Sequence, residues 1–292
     1  MSAAGEDVDR RAGAGRTLPP FDARQLQRRL SLDAAIFWLV GAAVVASFIV
    51  AVWLHERHAI LAVLPAALLL ASWLGLNLLS ASASRELPMI AAMAAEDPAA
   101  AERRLGALMR RPGLLSWVRL MLYHRLAVLR HRQHEFNESA AICAAVLARR
   151  LGPASGARAH LLLLLVEASL ERGDLLSAYT GLTELHRRRL GLVESIQRLA
   201  LQTRYCLVAD QPAQALGELP RRIELAEILP APQSGALHAM LARAADLVGQ
   251  EAWARWLWAR AELLCGPEQF ARHREGQFGA NVVETIEPDT GM

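Results

Sequence analysis

The chain contains no lysine: all 32 of its basic side chains are arginine. That absence excludes chemistry built on a lysine amine, including the phosphate-gripping lysine of Walker-A loops, the kinase lysine and Schiff-base catalysis. Cysteine is scarce, with Cys143, Cys206 and Cys265 far apart and outside any CxxC or Cys/His spacing. Three cysteines in apolar helical patterns read as small buried residues in a reducing compartment. Aromatics make up 5% of the chain, and the net charge is only +3 and dispersed, which argues against a nucleic-acid partner. GxGxxG after a strand, GxxxxGK[ST], HExxH and GxSxG are all missing, so no catalytic residue, cofactor or metal is assigned. No stretch of β-branched alternation occurs, so strands are not expected.

What the chain does have is apolar length, with 53% hydrophobic residues, part of the excess concentrated early. Residues 34–54 carry no charge, His, Asn or Gln, and residues 59–79 carry Ser72 and Asn77 as their notable polar groups. Each run makes a helix of about 31 Å, against a hydrocarbon core of roughly 30 Å. Trp38 and Trp53 lie near the two ends of the first run, where indoles prefer the membrane interface. A cleaved signal peptide is not expected, because a polar leader precedes the first run and a second run follows. The segment 34–80 therefore reads as a transmembrane helical hairpin. Small residues recur every fourth position, at Ala43, Ser47 and Ala51 and at Ala67, Ala71 and Gly75, and would let the two arms pack closely. Pro65 would bend the second arm only mildly, because its missing hydrogen bond falls near the helix start.

Arg24, Arg28 and Arg29 precede the first run, and Arg85, Arg103 and Arg104 follow the second, whereas the turn holds only Arg57. The positive-inside rule then places both termini in the cytoplasm of an inner, multi-pass membrane protein. His55, Glu56 and His58 in the turn look like the start of a metal site. A zinc site needs three or four ligands, and these supply at most three on one short turn, with the other histidines across the membrane. The turn is read as polar punctuation. Residues 1–33 form a polar cytoplasmic segment, in which 21–33 fits a short amphipathic helix. Phe21, Leu26, Leu30 and Leu32 would dip into the membrane surface while Arg24, Arg28 and Arg29 meet anionic headgroups.

From residue 85 to 278 apolar residues recur at three- and four-residue spacing, so an all-α domain is expected. Pro98 after Asp97 starts a helix, giving the pair 86–96 and 98–111. Ala140, Ala178, Ala215 and Ala254 then lie 38, 37 and 39 residues apart, each early in a second helix. Breakers follow at Pro153, Gly191, Pro230 and Pro267. The units 114–152, 153–190, 191–229 and 231–267 thus read as helix–turn–helix repeats stacked into an α-solenoid, with the four alanines as packing positions. Residues 279–292 read as a disordered tail. Within the repeats, His131, His134, Glu135 and Glu138 read as solvated groups at a helix end rather than metal ligands. Arg187, Arg188 and Arg189 read as a solvated terminus that complements a helix dipole, with an acidic-partner or phospholipid-facing patch as the rival. Trp253 and Trp256 share a helix face and can fill the core together. Trp258 sits roughly 200° around the helix from Trp256, and an indole left outside would anchor a peptide or cap the array.

The stretches "ERGDLLSAY" (171–179) and "VADQPAQAL" (208–216) resemble the inter-helix turn of the tetratricopeptide-repeat family, a Gly or Asp followed five positions on by Ala. The hairpin-then-repeats layout also resembles that of HemY-type inner-membrane proteins. The tetratricopeptide resemblance implies scaffolding: a protein without enzymatic activity that binds a segment of another protein in the groove of its repeats. The expected partners are therefore the lipid bilayer and an unidentified protein, with self-association left open. Three rivals stand beside that expectation: an accessory subunit of a larger membrane complex, a metal-dependent membrane enzyme using His55 and His58, and lipid binding through the arginine-rich segments.

Overall fold

A computed structural model describes residues 18–54, 59–151 and 155–278, with side chains placed outside 51–66. Every regular element among the described residues is a helix. The chain forms two compact units, Met1–Arg158 and Ala159–Met292.

The first unit is built on two long helices, α1 (Ala23–Leu54) and α2 (Ala59–Glu96), which pack along each other. At 1.5 Å per residue they are about 48 and 57 Å long, well beyond the thickness of a bilayer core. Their excess length becomes part of the helical body. The first third of α1 packs on α4 (Ser116–Arg132) and α5 (Phe136–Leu147), and α2 packs on α3 (Pro98–Arg110) and α4. The sequence divided the second arm into a span at 59–79 and a separate helix at 86–96; the structure joins them. The intervening serines do not break the helix because each hydroxyl donates back to the preceding turn, Ser80 to Leu76 O (3.0 Å), Ser82 to Leu79 O (2.9 Å) and Ser84 to Ala81 O (2.8 Å). The break falls at Asp97, whose carboxylate accepts from Ala100 N at 2.9 Å and caps α3, with Pro98 in the first turn as expected.

The segment 21–33 is also not a separate surface helix. It is continuous with the apolar run, Leu26 is buried in protein, and Phe21 meets Tyr123 edge-to-face at 5.8 Å. Of the apolar residues expected to dip into lipid, Leu32 remains exposed.

The second unit contains α6 (Ala157–Glu171) from Ala159 onward, α7 (Leu175–His186), α8 (Leu192–Val208), α9 (Pro212–Ala215), α10 (Leu219–Glu227), α11 (Ala231–Val248), α12 (Glu251–Leu264) and α13 (Pro267–Arg274). Helix α11 is its centre: residues 233–242 are buried without interruption, and α8, α9, α10, α12 and α13 all pack on it.

One turn geometry recurs through the chain. His134, Gly173, Asp210 and Gly249 all have positive φ (60°, 70°, 55° and 79°) and lie 39, 37 and 39 residues apart. At each, the next residue donates its N–H five residues back, as in Glu135 to Arg130 O, Asp174 to Ser169 O, Gln211 to Cys206 O and Gln250 to Ala245 O. This double-bonded helix end satisfies carbonyls that would otherwise lack partners and reverses the chain into the next helix. The repeated turn gives helix pairs α4–α5, α6–α7, α8–α9 and α11–α12. In the third pair the second helix stops after four residues, at Leu216–Gly217–Glu218, and restarts as α10. Pro220 accounts for the break, because a continued helix would place its ring against the carbonyl of Leu216. Arg222 stabilises it by donating to Gly217 O at 2.6 Å.

Candidate functional site

The two apolar arms of the first unit are the most unusual surface. Only 6% of the 18-residue apolar window within Ala23–Val50, and 11% of the one within Ala67–Glu96, is buried within the protein. A core helix of a soluble protein would be mostly buried. Trp38, Leu39, Phe48, Leu68 and Leu78 are each more than 60% exposed. Both helices are long and apolar enough to cross a membrane.

Below the apolar arms the polar groups converge. Asp33, at the lower edge of the first run, is buried against Arg119 of α4, which is equally buried. Arg119 donates to both Asp33 carboxylate oxygens, to Met109 O at 2.8 Å and to Arg111 O at 2.9 Å. The second Asp33 function is to accept Gly113 N–H at 3.0 Å. Gly113 needs to be glycine: its φ is +71°, and a Cβ there would lie 2.6 Å from Leu76 Cδ2. One carboxylate thus ties α1, α4 and the α3–α4 turn together at the end of the apolar hairpin.

A second cluster holds the chain entering α1. Arg130 is fully buried and donates to Glu102 Oε1 at 2.8 Å and Gln133 Oε1 at 2.7 Å, with Glu135 and Glu138 oxygens at 3.4 and 3.5 Å. Glu102 also accepts Leu18 N–H and Glu138 accepts Phe21 N–H, each at 2.7 Å. Leu18 packs so closely on Gly106 that a Cβ there would meet Leu18 Cδ2 at 2.6 Å. Residues 18–21 are strapped to α3 and α5 by carboxylates that the sequence alone shows only as scattered charges.

The residues singled out by the sequence fall as follows. Ala178, Ala215 and Ala254 are buried, each five residues beyond a left-handed turn residue. In the first pair that register belongs to Ser139, fully buried and donating to Ala127 O at 3.0 Å, while Ala140 lies one position on and is buried beside it. Ala43 and Ser47 are half-buried, Ala67 and Ala71 are exposed, and Gly75 is half-buried with no atom within 4 Å of a Cβ position. The Ala51 side chain and His55, Glu56 and His58 lie outside the described residues. Arg24, Arg28 and Arg29 are exposed. His131 and His134 pack on the Phe136 ring at 5.1 and 5.6 Å, while Glu135 and Glu138 turn to Arg130. Among the described residues no three His, Cys, Asp or Glu side chains are placed to hold a metal ion.

The tryptophan register is the reverse of the expected one. Trp258 is buried, donates Nε1–H to Asp246 Oδ2 at 2.7 Å, and lies beneath the Arg274 guanidinium at 4.7 Å. Trp253 and Trp256 do share a face, as their spacing requires, but that face is outside: they are 42% and 46% exposed, edge-to-face at 6.2 Å. The buried stripe of α12 is Ala254, Leu257, Trp258 and Ala261, a complete helical i, i+3, i+4, i+7 set that two tryptophans one position earlier could not join. Beside the outer pair, Glu227 holds Arg260 through two bonds of 2.6 and 2.8 Å. His238 of α11 bonds Ser234 O through Nδ1 at 2.8 Å and faces Glu227 through Nε2 at 3.4 Å. Burial holds the His238 pKa below its ordinary value despite the glutamate, so the ring is neutral at pH 7.

Comparison of the chain with protein-family models, with curated proteins and with solved structures finds no match.

Proposed function

We propose that this chain is an integral membrane scaffold. The apolar hairpin crosses the bilayer twice, and the helical body binds a segment of another protein on the side that holds both termini. The observation that carries this reading is the exposed apolar surface of α1 and α2, left uncovered along two helices that run without a break into the body. Orientation follows from arginine placement: Arg24, Arg28, Arg29 and Arg85 border the body side, against Arg57 at the turn. The left-handed turns and their buried small residues support a tetratricopeptide-like array, and the exposed Trp253–Trp256 pair supplies an aromatic anchor of the kind that dominates binding surfaces. Because the hairpin grows into the rest of the first unit instead of hanging from a linker, the Asp33–Arg119 contact holds that unit at the base of the apolar arms. The test is a reporter enzyme fused after Met292, combined with membrane fractionation. Activity confined to the cytoplasm and recovery in the membrane fraction support the reading; recovery in the aqueous fraction refutes it.

A second reading, an accessory subunit of a larger membrane complex, is favoured by the exposed Ala67 and Ala71 and by the open space at Gly75. Such a ridge permits close approach of another transmembrane helix. The mass of the protein purified in mild detergent separates the two: a stoichiometric membrane partner or second copy that is lost on Ala71→Leu substitution favours the subunit.

A further inference from the structure

The densest unpaired charge in the second unit lies where α7 ends and α8 begins. Residues 186–189 read His-Arg-Arg-Arg, and Arg198 on α8 reaches back to them, its Nη1 3.3 Å from His186 Nδ1. Two carboxylates lie nearby, and both are engaged. Glu184 takes Arg188 at 2.6 Å, and Glu194 accepts Gly191 N–H at 2.7 Å. Among the described residues Arg187, Arg189 and Arg198 form no ion pair. The Nε–H groups of Arg188 and Arg198 are shielded from solvent yet have no acceptor. Each is a donor that the protein itself leaves unused.

Helix α8 adds to the same place. It is 17 residues long, and its N-cap is Gly191, which has no side chain to accept the first free N–H groups. The positive end of its dipole therefore points into the cluster. Burial, and then the charge of Arg198, holds His186 below its ordinary pKa.

We propose that loop 187–191, with His186 and Arg198, is a binding site for a phosphate group. A compact dianion with several acceptor oxygens matches forked guanidinium donors and a helix N-terminus at once, which a single peptide carboxylate cannot do as fully. The phosphate comes either from a soluble phosphate compound or from a phosphomonoester lipid headgroup. The site stands independently of the membrane-scaffold reading.

The test uses the full chain in phosphatidylcholine nanodiscs. Inorganic phosphate and pyrophosphate are titrated calorimetrically, and co-flotation is measured with separate vesicles of phosphatidylcholine containing phosphatidic acid. Saturable binding in either arm, weakened about tenfold or more by Arg187→Ala/Arg189→Ala and by Arg198→Gln, supports the site. Binding of free phosphate identifies a soluble source; binding of phosphatidic acid vesicles alone identifies the lipid. Arg187 and Arg189 are exposed, so their removal leaves the fold intact and an unchanged melting temperature verifies this. The control Arg172→Ala/Arg221→Ala removes the same charge elsewhere in the unit. Equal weakening by the control, displacement by polyglutamate as readily as by phosphate, or no saturable binding in both arms overturns the proposal.

Discussion

Replacing Arg119 by methionine leaves Asp33 buried, charged and without its counter-ion. Both side chains are 1% exposed, so water cannot take over. Breaking a buried pair from one side costs about 3–5 kcal/mol, because the desolvated charge that remains is uncompensated. At roughly 2–4 °C per kcal/mol, the melting temperature should fall by about 6–20 °C, measured by circular dichroism at 222 nm in a mild detergent. The origin of that loss is tested by the double variant Asp33→Leu/Arg119→Met. An apolar pair of similar volume removes both charges and often matches the ion pair in stability. Here it still leaves Gly113 N–H and the Met109 and Arg111 carbonyls without partners, a residual cost of about 1–3 kcal/mol for the group least able to reach water. The double variant should therefore recover a clear part of the single-variant loss. If it unfolds at or below the single variant, or if Arg119→Met shifts the midpoint by less than 2 °C, the pair does not hold the base of the hairpin and the argument fails.

Three further outcomes follow from the same structure. Trp258→Ala should cost about 3–5 kcal/mol because it empties the core beneath Phe270, whereas Trp256→Ala should stay within about 1 kcal/mol; chemical or thermal unfolding of both reads the difference. Asp210→Gly relieves a left-handed residue and should stabilise by about 1 kcal/mol, while Gly173→Ala at the equivalent turn should destabilise by a similar amount. His238 and His273 are held below their ordinary pKa by burial, so the unfolded chain binds more protons than the folded one below about pH 6.5. Stability is then full above that pH and falls as the solution is acidified through the depressed folded values, and His238→Gln should flatten the fall seen in melts from pH 7.5 to 5.

Local periodicity made much of the fold readable. The apolar runs, the helix start at Asp97–Pro98, and the spacing of Ala178, Ala215 and Ala254 are patterns within one or two helices. The first pair slipped by one residue because Ser139, a polar residue, occupies the position held elsewhere by alanine, and its hydroxyl is satisfied only by Ala127 O from the preceding helix. The candidate sites were less readable. Arg119 and Arg130 are two of four arginines in the run "WVRLMLYHRLAVLRHR", and nothing local names Asp33, 86 positions away, or Glu102 as their partners. The arginine run at 187–189 was visible, but Arg198, which makes it a cluster, reaches it only once α8 turns back along α7.

By itself, the amino-acid order determined that the chain would be helical, where it would carry two bilayer-length apolar arms, and which small residues would sit behind three of the four turns. Those properties depend on neighbours within a few residues, where helix period and chain stiffness act directly. Tertiary structure decided that α1 and α2 continue into the body, that Asp33 meets Arg119, and that Trp258 turns inward while Trp253 and Trp256 face out. In each of these the outcome depends on which distant surface excludes water from a side chain, and no local pattern carries that information.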